Sequence, residues 1–218
     1  MTEQSLHEQL KEFYAQDAGV IESPYGDYRV DVLKEDLLIE IQTGSFSTIR
    51  DKLRDLVRDN RVKLVYPIPY NKWIIKLSGN DEQLSKRKSP KRGRIEDVFY
   101  ELVYIPKLLL NPNFNLEIIF IDLEEYWIND GKGSWRRKRW SIKNKKMIKI
   151  HDRILIHCPE EFKKLIPYTL SSEFTSISFA KKARLNKRLA QKMLYCLTKM
   201  KIVERTGKRG RSYLYSMC

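Results

Sequence analysis

The sequence predicts an α/β protein. A mixed sheet flanked by helices is expected over residues 1–158, followed by a small unit of helices and a hairpin over 159–218. Three observations carry this expectation. Short apolar runs at 27–33, 37–43, 62–69, 72–77 and 115–127 are interspersed with stretches of helical spacing, the pattern of a sheet covered by helices. At 78–93 the composition changes to "SGNDEQLSKRKSPKRG", where Gly, Ser, Pro and dense charge mark an exposed basic loop. After Pro159 the pattern becomes helix, helix, helix and then hairpin.

Each element has its own warrant. Leu6, Leu10 and Phe13 recur at helical spacing over 5–16. The runs "DYRVDVL" and "LLIEIQT" form a hairpin turning at Lys34–Asp36. Phe46, Ile49, Leu53, Leu56 and Val57 make one helical stripe, with Ser45 or Ser47 as its N-cap. "VKLVYPIP" and "KWIIKL" read as two strands, the first ended by Pro67 and Pro69. "IEDVFYELVYIPKLL" reads as a helix up to Pro106, "NLEIIFIDLEEYW" as a strand, and residues 133–156 as a basic hairpin. Residues 94–158 are expected to complete the sheet, because the first hairpin is too small to be stable alone.

The formal net charge is +14, and it is unevenly placed. Residues 1–75 hold 10 Lys/Arg against 13 Asp/Glu, whereas residues 76–218 hold 32 against 15. A basic body behind an acidic front suits a polyanion partner presented to a carboxylate-rich site. No stretch approaches eighteen consecutive apolar residues and the N-terminus is polar, so neither a membrane span nor a secretory signal is expected. Cys158, Cys196 and Cys218 form no CxxC pair, which fits a reducing, cytoplasmic setting.

The acidic residues of the hairpin carry the chemistry. If Leu33 pairs with Leu38, Asp31 falls opposite Glu40, and Gln42 shares the face of Glu40. Like charges in a cross-strand pair destabilise by a few tenths to about 1 kcal/mol unless something lies between them. Mg2+, or Mn2+, would do so, with Asp31 and Glu40 as ligands and Gln42 positioning water or a phosphate oxygen. The plainer alternative is a solvated face carrying Arg29, Asp31, Glu40 and Gln42.

Helix, D…ExQ hairpin, helix and further apolar strand together resemble the PD-(D/E)xK nuclease superfamily over roughly residues 5–78. The resemblance implies that Asp31 and Glu40 bind Mg2+ and that a carboxylate of the first helix assists. Glu8 matches that helix position best, with Glu22 as a second candidate. The usual final Lys of the motif is Gln42 here, and Lys52 or Arg50 on the next helix would restore the missing cation. Such enzymes commonly dimerise, so a homodimer is a further expectation.

The basic stretches suggest where DNA would lie. Lys86, Arg87, Lys88, Lys91 and Arg92 belong to a run of six cations without an acid, suited to tracking phosphates. In "WRRKRW", Trp135 and Trp140 bracket four cations, suiting stacked unpaired bases or, alternatively, core and cation–π packing. Residues 173–215 resemble a winged helix-turn-helix. Its second helix turns Leu189, Met193, Cys196, Leu197 and Met200 inward and presents Lys187, Arg188, Gln191 and Lys192, while the wing carries Lys208, Arg209 and Arg211. The expected function is therefore an Mg2+-dependent DNA endonuclease targeted by a winged helix. The alternative is a non-catalytic DNA-binding transcriptional regulator built on a degenerate nuclease fold.

Overall fold

The computed structural model describes residues 5–218, a mixed α/β arrangement with a seven-stranded mixed sheet and a separate three-stranded one. Ser5 caps the first helix, α1 (Leu6–Ala15), through a reciprocal box with Glu8, and α1 turns Leu6, Leu10 and Tyr14 inward. Strands β1 (Val20–Tyr25), β2 (Tyr28–Lys34) and β3 (Leu37–Ile41) form an antiparallel meander in which Leu33 pairs with Leu38, the expected register. Helix α2 (Arg50–Leu56) then crosses back, and β4 (Arg61–Leu77) lies parallel to β3.

The two strands expected over 62–77 are one strand of 17 residues. Val65 O, on the β3 side of β4, accepts the amide of Gln42, and β3 pairing stops there. Pro67 and Pro69 have the same parity, so their missing N–H groups face the stretch of β4 edge where no strand is paired. A shift of register between Pro69 and Asn71 absorbs the kink, and β4 continues. The expected loop over 78–93 likewise contains a strand, β5 (Gln83–Lys88), antiparallel to the end of β4. Every β5 side chain is exposed, so composition resembles a linker, whereas only backbone pairing defines the strand; lysines on an edge are ordinary protection.

The helix expected from Ile95 shortens to a 3-10 turn (Ile95–Val98) and one turn of α3 (Phe99–Leu102), which bury Val98, Phe99 and Leu102. Residues 94–158 complete the sheet: β6 (Phe114–Ile128) lies parallel to β4, and β7 (Ser141–Ile156) lies antiparallel to β6. Beyond the packed centre, β4 to β7 run on together as a long arm.

After a 3-10 segment at Pro159–Leu165, where a helix was expected, β8 (Phe174–Thr175) leads into α4 (Ser176–Ala183). Asn186 caps α5 (Lys187–Lys199) through the Leu189 amide, and β9 (Val203–Arg209) and β10 (Ser212–Met217) close the chain as a hairpin turning at Gly210–Arg211. Leu189, Met193, Cys196, Leu197 and Met200 are buried as expected. They share one apolar cluster with Leu53, Phe99 and Phe114, so residues 159–218 pack directly on the first unit. A second, smaller cluster lies under α1, on Val32, Ile39, Ile41 and Val65.

Candidate active site on the acidic hairpin

Pairing between β2 and β3 ends at Val32–Ile39, one position short of Asp31 and Glu40. There the Asp31 carboxylate takes over from the ladder, its Oδ2 accepting the Ile41 amide at 2.8 Å. From α1, His7 Nε2 lies 3.2 Å from Asp31 Oδ2 and 3.0 Å from Ile41 O. Both are acceptors, so Nε2 carries the hydrogen. Lys11 Nζ lies 3.4 Å from Asp31 Oδ1 and also holds Glu22. Burial works against the Asp31 charge, but the His7 and Ile41 hydrogen bonds and the nearby cations outweigh it and hold the carboxyl below its ordinary value.

Glu40 is held from the other helix. Its carboxylate is only 3% exposed, and Lys52 Nζ of α2 lies 2.6 Å from Oε1 while donating to Arg29 O. That ammonium is the partner of Oε1 in a buried ion pair. Burial pushes the Glu40 carboxyl up; Lys52 pulls it down, and the charge of Asp31 adds to the rise. The two acids thus feel one another, as the sequence spacing implied, yet one is neutralised from α1 and the other from α2.

Several expected participants are elsewhere. Glu8 is exposed, with its carboxylate spent on the Ser5 amide as the cap of α1, because it lies on the outer side of that helix. Gln42 does not stand free beside Glu40: its amide donates to Ser45 O and Thr48 Oγ1 and accepts from the Gly44 amide, closing the turn into α2. Arg50 pairs with its neighbour Asp51, whereas Lys52 does reach Glu40. Lys192 is not presented outward; it donates to Tyr100 O and sits over the Tyr104 ring, because α5 packs on α3 along that side. Lys187, Arg188, Gln191, Lys208, Arg209 and Arg211 are exposed. Lys86 pairs with Glu124, Lys88 covers Trp73, Lys91 lies 3.7 Å from Asp97, Arg92 covers Tyr70, and Arg87 is exposed.

His7 and Lys11 are the residues that sequence reasoning missed. The signal was present: they sit one turn apart beside Leu6 and Leu10, at the edge of the buried stripe, where a polar side chain must meet something on the sheet.

A cleft of about 360 Å³ lies along the unpaired edge of β4, lined by Tyr66, Pro69, Lys72, Lys91, Asp97 and Glu101. Glu101 also accepts the Phe46 amide, and burial followed by the Glu101 and Asp97 charges pushes the Tyr66 hydroxyl up to about 12. Among the described residues no three His, Cys, Asp or Glu side chains gather as a metal-ligand group.

Residues 4–157 match the family described as "Domain of unknown function (DUF8091)", and the chain belongs to it. It is similar to an "Uncharacterized protein" of Treponema pallidum (strain Nichols), 28% identical over 149 residues. That match covers 68% of this chain and 59% of the relative's length. No solved structure matches the chain. Among the described residues no helix is long and apolar enough to cross a membrane.

Proposed function

We propose that the protein is an Mg2+-dependent DNA endonuclease of the PD-(D/E)xK kind, targeted by a C-terminal winged helix. The observation that carries the reading is the pair Asp31 and Glu40. They stand opposite one another where hairpin pairing stops, each beside an ammonium from a flanking helix. Mg2+ is commonly held by one or two carboxylates, with water and substrate phosphate completing the shell, so this donor set fits. Asp31 and Glu40 would hold the ion, and when bound it supplies Lewis-acid stabilisation of phosphoryl oxygens and a more acidic water.

The chain's own residues do the rest. Lys52 brings a cation beside Glu40, the charge that Gln42 removes from the motif. His7 orients Asp31, and Gln42 fixes the turn that starts α2. The order helix, hairpin, helix, parallel strand supports the nuclease resemblance, and α4, α5 and the β9–β10 hairpin support the winged-helix one. Residues 159–218 carry 14 basic against 4 acidic residues, and Arg188 and Gln191 are exposed at the start of α5.

One observation favours the second reading, a non-catalytic DNA-binding regulator. Asp31 and Glu40 each already have an ammonium partner, and the Gln42 side chain is fully engaged. Supercoiled plasmid and branched DNA incubated with Mg2+, Mn2+ or EDTA separate the two. The endonuclease cuts with metal, and Asp31→Ala/Glu40→Ala abolishes cutting. DNA binding without cutting on any substrate leaves the regulator.

A further inference from the structure

All four tryptophans of the chain lie on the arm formed by β4 to β7, and each has a cation over its ring. Lys88 covers Trp73 at 5.2 Å, Arg137 covers Trp127 at 6.0 Å, Arg136 covers Trp135 at 5.6 Å and Lys76 covers Trp140 at 4.4 Å. Over 72–88 and 123–149 the arm carries 14 Lys/Arg against 5 Asp/Glu. Four of those acids are already engaged: Asp81 by Lys143, Glu124 by Lys86, Glu125 by Lys72, and Asp130 by Ser141. The surplus cations, among them Arg87, Lys132, Arg136, Lys138, Arg139 and Lys146, are exposed.

The arm's tip is built to hold one ring out. Trp135 is 81% exposed, in a 3-10 turn tied by the Gly133 amide to Arg139 O, the Lys138 amide to Trp135 O and the Trp140 amide to Arg137 O. Backbone passes so close at Gly133 that a Cβ there would lie 1.9 Å from Trp140 O. A large indole fixed in water by a hydrogen-bonded turn, and flanked by arginines, has the features of a stacking platform. Duplex DNA hides the faces of its bases; only unpaired bases can use such a ring.

The arm also points the right way. β3 ends beside Val65, but β4 continues for twelve residues to Leu77, about 40 Å at the rise of a strand. The arm therefore extends from the same end of the sheet as the acidic hairpin. The segment 89–93 follows β4 back towards it, with the Ser89 amide on Lys72 O and the Gly93 amide on Pro69 O.

We propose that this arm binds an unpaired DNA strand, stacking a base on Trp135 and holding phosphates with Arg136 and Lys138 at the tip and Arg87 along its edge. The site is distinct from the helix-turn-helix and does not require the acidic hairpin to cut.

The test uses the full chain in EDTA. Because every tryptophan is on the arm, indole emission reports on the arm alone. Titration with oligodeoxythymidylate should quench emission saturably, and duplex DNA of equal length should quench far less. Trp135→Ala, harmless to folding at an exposed position, should weaken strand binding about fivefold or more, since one base–aromatic stack is worth that much. Arg136→Ala/Lys138→Ala should weaken it and flatten its salt dependence. Equal quenching by duplex, tighter binding of oligouridylate, or unchanged affinity in Trp135→Ala would overturn the proposal. Asp31→Ala/Glu40→Ala should bind the strand as the natural protein does. Loss of cutting and loss of strand binding are thereby separate failures.

Discussion

Replacing Lys52 with Met leaves the Glu40 carboxylate buried without its ammonium. Breaking a buried ion pair from one side costs about 3–5 kcal/mol when the remaining charge cannot escape. Glu40 can escape by taking a proton. At pH 7, about 2.7 pH units above the ordinary glutamate value, that costs about 3.7 kcal/mol, and at pH 5 about 1 kcal/mol. Lys52 itself is 19% exposed, so some water reaches the pair, and about 3 kcal/mol is expected at pH 7. The sign follows from the raised carboxyl: the folded state binds the proton more readily than the unfolded chain. Stability from Glu40 is therefore fully present below the ordinary glutamate value and falls as pH rises through the folded one. Lys52→Met steepens that fall. Urea unfolding in EDTA at pH 7 and pH 5 measures it, and Lys52→Met/Glu40→Gln should recover most of the loss at pH 7. A loss below about 0.5 kcal/mol at pH 7, or equal losses at both pH values, would refute the reasoning.

Two further outcomes follow from the packing and from the surface of residues 159–218. Leu197 is fully buried in the cluster that spans both units, so Leu197→Ala should cost about 2–5 kcal/mol and lower the midpoint of a single transition; two separate transitions would contradict the shared cluster. On duplex DNA, Arg188→Ala should change sequence preference, whereas Lys208→Ala should weaken all sequences alike and reduce the salt slope by about one. Unchanged affinity in both would remove α5 and the β9–β10 hairpin from DNA.

How much was legible in the sequence depends on what kind of force sets each feature. The hairpin register, the α5 stripe and the strand at 115–127 follow from apolar periodicity, which burial enforces, and all three are present. β5 was missed because an edge strand needs only backbone partners, and its exposed side chains carry no periodic signal. Pro67 and Pro69 suggest a strand end because sequence alone does not show which side of a strand is unpaired. At the site, spacing puts Asp31 opposite Glu40 and offers Lys52 or Arg50 as the nearby cation, of which Lys52 reaches Glu40; Glu8 is the expected first-helix carboxylate, whereas His7, one residue away, is what reaches Asp31. The Ser5 cap claims Glu8, and a capping box just ahead of an apolar stripe was readable as such. Lys192 looked outward on a helical wheel, but it faces α3, a contact set by packing that no local pattern announces.

Whether the two hairpin acids hold a divalent ion decides between an endonuclease and a DNA-binding regulator. Mn2+ titrated into the protein and followed by the electron paramagnetic resonance of the free ion measures this directly. The natural protein should take up Mn2+ at a site that Asp31→Asn and Glu40→Gln each weaken at least tenfold, with both variants still folded. Uptake unchanged by either substitution, or no uptake at millimolar Mn2+ with DNA present, would contradict it.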